Sequence, residues 1–119
     1  MKKCILIYED DDEISELCKL LISTANRKVV TLARCTNVVA DIQKYFPDLI
    51  LMDLWIPEIG GEKAIILIKE NPDICHIPVV VFSANNNIEA ISKKVKANAF
   101  LKKPFDISVM KQLIDKLLL

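Results

Sequence analysis

Glu9, Asp10, Asp53, Ser83 and a lysine at 102 or 103 each stand where a short apolar run turns polar, and together they hold the elements of phosphoryl chemistry. One run closes on Glu9-Asp10-Asp11-Asp12, another on Asp53, another on Ser83 and another on Lys102-Lys103. Carboxylates crowded at one point repel, and some must take up protons unless a cation compensates. An all-oxygen carboxylate set suits Mg²⁺ or, as an alternative, Mn²⁺, with water and a phosphate oxygen completing an octahedron. A lysine and a hydroxyl beside such an ion make a cradle for a phosphoryl group, whose charge spreads over three oxygens during transfer. Asp53 can supply the nucleophile, because carboxylates form aspartyl-phosphate intermediates. Each residue also has a plainer reading. Asp11, Asp12 and Glu13 fit a solvated helix start favoured by the helix dipole, Ser83 alone fits a strand-end hydroxyl bonded to backbone, and Lys102 and Lys103 fit surface charges. What favours the chemical reading is that four separate run ends each supply a fitting group.

These groups meet only if the chain brings the run ends to one rim. Five short runs recur, at Ile5–Tyr8, Val29–Ala33, Leu49–Met52, Val79–Phe82 and Ala99–Leu101, nearly continuous in apolar character instead of alternating. That is the signature of strands covered on both faces, as in a parallel sheet flanked by helices. Between them, Ile14, Leu17, Cys18, Leu21, Ile22 and Ala25 fall at helical spacing behind the acids of a first turn. Further helices are predicted at about 37–46, 61–70, 88–96 and 107–117, the last capped by Asp106. Fivefold βα alternation predicts one domain over residues 1–119, an open doubly wound sheet with right-handed crossovers. Ligands of such sheets gather outside the carboxyl ends of the strands. If strands one and three are neighbours, Glu9 or Asp10 converges with Asp53, and Ser83 and a lysine adjoin them. With only two glycines in the chain, left-handed helix ends are expected to fall to Asn26, Asn71 and Asn98.

Composition narrows the classes. The 119 residues are 52% hydrophobic and 27% charged, which fits a globular domain and neither a disordered tail nor a membrane span. Lys plus Arg and Asp plus Glu each number 16, so there is no basic excess for a nucleic-acid backbone and no direct nucleic-acid partner is expected. The adjacent Gly60 and Gly61 cannot write either glycine-rich nucleotide loop. Cys4, Cys18, Cys35 and Cys75 lack metal or redox spacing, Cys75-His76 included, and read as reduced core residues. The first apolar run is too short for a signal peptide, so a cytoplasmic location is expected, with no membrane partner.

Four stretches resemble the receiver domain of two-component response regulators, and the resemblance covers essentially the whole chain. Ile5-Leu6-Ile7-Tyr8-Glu9-Asp10-Asp11 is similar to the family's first strand and acidic pair, and Leu49-Ile50-Leu51-Met52-Asp53-Leu54-Trp55-Ile56-Pro57 to its phosphoacceptor strand and loop. Val79-Val80-Val81-Phe82-Ser83-Ala84 resembles the strand with the Thr/Ser switch, and Phe100-Leu101-Lys102-Lys103-Pro104-Phe105 the aromatic switch and Lys-Pro motif. The resemblance implies a flavodoxin-like (βα)5 fold, an α/β sheet of five parallel strands in order 2-1-3-4-5. It implies Asp53 as phosphoacceptor, with Glu9, Asp10, Asp53 and the Trp55 carbonyl around Mg²⁺ and Asp10 as the more direct ligand of the acidic pair. Lys103, which precedes the proline, would pair with Asp53 or a phosphoryl oxygen. Ser83 would bond the phosphoryl group, Phe100 would move inward, and the face of helix 4, strand 5 and helix 5 would change. The implied partners are a sensor histidine kinase or histidine phosphotransfer protein, a downstream effector or an output domain absent from this chain, and a second copy through that last face. The resemblance implies no enzyme beyond Mg²⁺-dependent self-phosphorylation and self-dephosphorylation.

The chain departs from the family pattern at Gly60, where an acid is common, and at Trp55 and Asn85, which would border the path of a hydrolytic water. A bulky Trp55 is expected to restrict that water and lengthen the aspartyl-phosphate lifetime, unless its ring merely covers loop atoms. Three alternatives stand beside the resemblance. A Mg²⁺-dependent phosphohydrolase with an aspartyl nucleophile needs a second acid two residues on, where Trp55 stands. An electron-transfer flavin protein needs a phosphate-cradling loop rich in Ser, Thr and Gly after the first strand. A phosphorylation-independent interaction domain needs none of the site groups, all of which are present.

Overall fold

The computed structural model describes residues 2–119. Ten elements alternate along it: β1 (Lys3–Tyr8), α1 (Asp12–Ile22), β2 (Arg27–Leu32), α2 (Val38–Tyr45), β3 (Leu49–Asp53), α3 (Gly61–Glu70), β4 (Val79–Ser83), α4 (Ile88–Lys94), β5 (Ala99–Lys102) and α5 (Ile107–Leu117). The strands form one parallel sheet in the order β2-β1-β3-β4-β5, as expected.

Because side chains of a strand point alternately to opposite faces, each central strand feeds two cores. Leu6, Tyr8, Ile50, Met52, Val79 and Val81 pack with Val38 and Ile42 of α2, Ala64, Ile65 and Ile68 of α3 and Ile88 of α4. Ile5, Ile7, Leu49, Leu51, Val80 and Phe82 pack on the other side with Cys18 and Ile22 of α1 and Met110 and Ile114 of α5. Burial on both faces explains why β3 and β4 carry no solvent-facing position at all.

Short polar side chains start the helices. Asp11 accepts hydrogen bonds from the Glu13 and Ile14 amides at the head of α1, Asn37 from the Ala40 amide at α2, and Asp106 from the Ser108 amide at α5, the last as predicted. The left-handed positions differ from expectation. Among the described residues other than glycine they fall to Phe46, Glu58 and Lys96, not to Asn26, Asn71 or Asn98. The Asn71 and Asn98 side chains serve backbone instead. Asn71 accepts from the Asp73 amide, and Asn98 accepts from the Val79 amide and the Lys69 ammonium. The left-handed turn at Lys96 follows α4, which ends at Lys94, two residues before the predicted limit. On α1, Leu17 and Leu20 stay exposed although Leu17 lay in the predicted apolar face, and Ala25 lies past the helix end. Of the cysteines expected in the core, Cys18 and Cys35 are buried, whereas Cys4 is half-buried and Cys75 is exposed. Among the described residues no helix is long and apolar enough to cross a membrane.

Candidate functional site

Parallel pairing lines up the strand ends. Tyr8 is registered with Met52, Asp53 with Phe82, and Ser83 with Lys102. Asp53 and Ser83 therefore close β3 and β4, while Glu9 and Lys103 stand one residue beyond β1 and β5, all on the carboxyl rim. Glu9, Asp53 and Ser83 are buried, and Asp10 is exposed at the mouth.

One cation sits among the carboxylates. The Lys103 Nζ lies 2.5 Å from Glu9 Oε1 and 3.4 Å from Asp53 Oδ2. The other Asp53 oxygen accepts a hydrogen bond from the Trp55 amide at 3.1 Å, which fixes the carboxylate plane. Glu9 Oε2 accepts from the Asp11 amide at 3.3 Å, and the Glu9 carbonyl accepts from the buried Ser15 hydroxyl at 3.2 Å, so α1 anchors the residue front and back. Burial, and next the hydrogen-bonded neighbour Asp53, push the Glu9 carboxyl up to about 7 against the pull of Lys103. For Lys103, burial acts to lower its pKa. The hydrogen bond to Glu9 and the negative charge of Asp53 outweigh it, and the ammonium is held above its ordinary value.

A ligand atom from each of Glu9, Asp10 and Asp53 lies within 4.8 Å of the others. Three carboxyl groups facing one ammonium leave negative charge to be met, and an oxygen-only set fits a hard divalent cation in the manner of Mg²⁺.

Ser83 Oγ accepts from the Asn85 amide at 3.1 Å, and the Ser83 carbonyl accepts from the Lys103 amide at 2.9 Å, so β4 and the start of the β5–α5 loop hold one another. The two lysines separate here. Lys103 turns into the cluster, whereas Lys102 is exposed and donates to Asn86 Oδ1 at 2.7 Å. The Trp55 side chain is 71% exposed and Phe100 39% exposed, on the rim and on β5 respectively. Asn85 is half-buried. Gly60 takes φ +80°, a conformation that favours glycine. Sequence reasoning passed over Ser15, which reads as an ordinary helix residue, and Phe82, which reads as core.

The response regulator receiver domain model matches residues 5–115. The transcriptional regulatory protein KdpE of Staphylococcus aureus is 32% identical over 113 residues, spanning 93% of this chain and 48% of its own length, so the chain spans about half of that relative. Among solved structures, a response regulator of Chloroflexus aurantiacus superposes with a TM-score of 0.89 at 25% identity, covering 99% of this chain and 98% of that one. The Mn²⁺-bound form of the response regulator Rcp1 superposes with a TM-score of 0.74 at 28% identity, covering 96% of this chain and 90% of that one.

Proposed function

This chain belongs to the response regulator receiver domain family, and we propose that it is a phosphoacceptor switch that takes a phosphoryl group onto Asp53 and reports it by a change of surface. The observation that carries this reading is the meeting of buried Asp53, buried Glu9, Asp10 and the Lys103 ammonium at one rim. The donor is a phosphohistidine of a sensor kinase or histidine phosphotransfer protein. Its N–P bond breaks as an Asp53 oxygen forms the O–P bond, and the imidazole leaves with the bonding pair and takes up a proton.

Glu9, Asp10 and Asp53, with the Trp55 carbonyl, are the groups that would hold Mg²⁺, as the Mn²⁺-bound relative suggests. Such an ion would neutralise the charge that develops on the phosphoryl oxygens. Lys103 meets the same charge from the other side at Asp53 Oδ2. Ser83 ends the adjoining strand and has a hydroxyl hydrogen to donate while its oxygen accepts from Asn85. Drawing Ser83 toward a phosphoryl group pulls on the β4–α4 loop, and the outward Phe100 then has room to turn in. The affected face, α4, β5 and α5, is where an effector, an output domain or a second copy would read the state. The chain's own chemistry is limited to gaining and losing the phosphoryl group, in the cytoplasm.

Incubation with Mg²⁺ and acetyl phosphate, followed by intact mass, is expected to show one phosphoryl adduct on the native chain and none on Asp53→Asn. Failure to bind beryllofluoride as well as to form the adduct would defeat the reading.

A further inference from the structure

Lys103 has a third partner besides the two carboxylates. Its Nζ lies 4.7 Å from the centroid of the Phe82 ring, inside the range at which the negative face of an aromatic ring attracts a cation. Phe82 is fully buried beneath α1 and α5, and it meets Phe105 edge-on with centroids 6.3 Å apart at 74°. The ring is thus fixed by the core on one side while the ammonium stands over it. β4 reads Val-Val-Val-Phe-Ser, so an aromatic residue occurs in this strand only at the position that faces Lys103.

We propose that Phe82 is a positioning residue for Lys103, its ring face holding the ammonium in line with Asp53. The proposal rests on the phosphoacceptor reading for its purpose and on the geometry for its substance. Glu9 and Asp53 are inconstant partners, since a bound cation would compete with Lys103 for their oxygens and esterification of Asp53 would move its charge onto the phosphoryl oxygens. The ring keeps its quadrupole throughout. It also holds the ammonium without neutralising it, which leaves the full charge for an incoming phosphoryl oxygen. A leucine would fill much of the same volume but would offer the ammonium no such face.

Phe82 replaced by phenylalanines of increasing fluorination keeps its shape while the ring face loses negative potential. In metal-free protein carrying ¹⁵N-lysine, proton exchange of the Lys103 ammonium with water is expected to quicken stepwise, by about threefold to tenfold across the series, with Phe82→Leu at the fast end. A flat series would overturn the proposal. With Mg²⁺ present, beryllofluoride affinity is expected to fall in the same order. Graded exchange with constant affinity would show a ring contact that positions nothing, and would also overturn it. Wild-type protein that binds no beryllofluoride defeats the phosphoacceptor reading instead, and the exchange series alone then decides whether the ring holds the lysine. Urea unfolding of each variant separates these effects from lost stability.

Discussion

Gly61 lies directly against the Asp53 carbonyl. A Cβ at position 61 would stand 2.7 Å from Leu54 Cα and closer still to the Asp53 oxygen. The contact is between backbones, so no flexible side chain can give way. The Gly61 amide donates to the Leu54 carbonyl at 3.1 Å, which holds the start of α3 onto the loop that follows Asp53.

Gly61→Ala is therefore expected to cost stability, on the order of 1–3 kcal/mol as for other overpacked sites, and to displace Asp53 as well. Urea unfolding measures the first effect and the rate of phosphorylation by acetyl phosphate the second. A variant with native stability and native rate would show that the loop relaxes freely. Gly60→Ala meets no atom within 4 Å but must hold φ +80°, so it should lose stability through backbone strain while leaving the Asp53 carbonyl in place.

Metal-free stability should fall as pH rises toward neutrality. Glu9 has its pKa pushed up to about 7 in the folded chain, chiefly by burial, so the folded state binds its proton more tightly than the unfolded state does. The stability linked to that proton is fully present below the ordinary glutamate value and is lost as pH climbs through about 7, a change on the order of 1–3 kcal/mol. Unfolding in urea with EDTA between pH 4.5 and 8.5 should show this decline, and Glu9→Gln should flatten it. Added Mg²⁺ should stabilise the wild type more at pH 8 than at pH 6, where the proton competes for the same carboxyl.

Tyr8 offers a contrast from the same strand. Its buried hydroxyl donates to Asp41 Oδ2 at 2.8 Å, tying β1 to α2 on the face away from α1 and α5. Burial and that hydrogen bond both raise the phenol's pKa, so it remains a donor through the physiological range. Tyr8→Phe should lose about 1 kcal/mol by urea unfolding, since half-buried Asp41 can turn to water. Phosphorylation of Asp53 should keep its native rate, and a large loss of rate would mean that the two cores are coupled.

The strands and the rim were legible because burial on both faces writes an unbroken apolar run, and each run stops where the strand reaches the site. Residues with local work of their own were harder to read. Lys102 and Lys103 are adjacent and alike in sequence, and their separation into an exposed donor to Asn86 and a half-buried partner of Glu9 depends on the turn out of β5. Asn71 and Asn98 looked like left-handed helix ends, but Asn71 closes α3 in extended backbone, and both side-chain carbonyls accept from backbone amides of β4 and the loop before it. Phe82 gave no sign, because a core aromatic and a ring placed under a cation are the same letter in the same strand.

Asp10 and Asp11 are neighbours with separable tasks. Asp11 Oδ1 accepts from the Glu13 amide at 2.9 Å and the Ile14 amide at 3.2 Å, so it caps α1. Asp10 instead brings a carboxylate oxygen within 4.8 Å of those of Glu9 and Asp53. Asp11→Ala should lower stability by about 1 kcal/mol and change Mg²⁺ affinity little. Asp10→Asn should weaken Mg²⁺ binding by about tenfold or more while keeping or raising metal-free stability, because it removes one of three mutually repelling carboxylates. Trp55 is the sole tryptophan and lies two residues beyond Asp53, so its fluorescence can follow the Mg²⁺ titration in each variant. Equal losses of affinity in the two variants would mean that the cap positions the cluster as strongly as the ligand itself does. A loss confined to Asp11→Ala would remove Asp10 from the metal site.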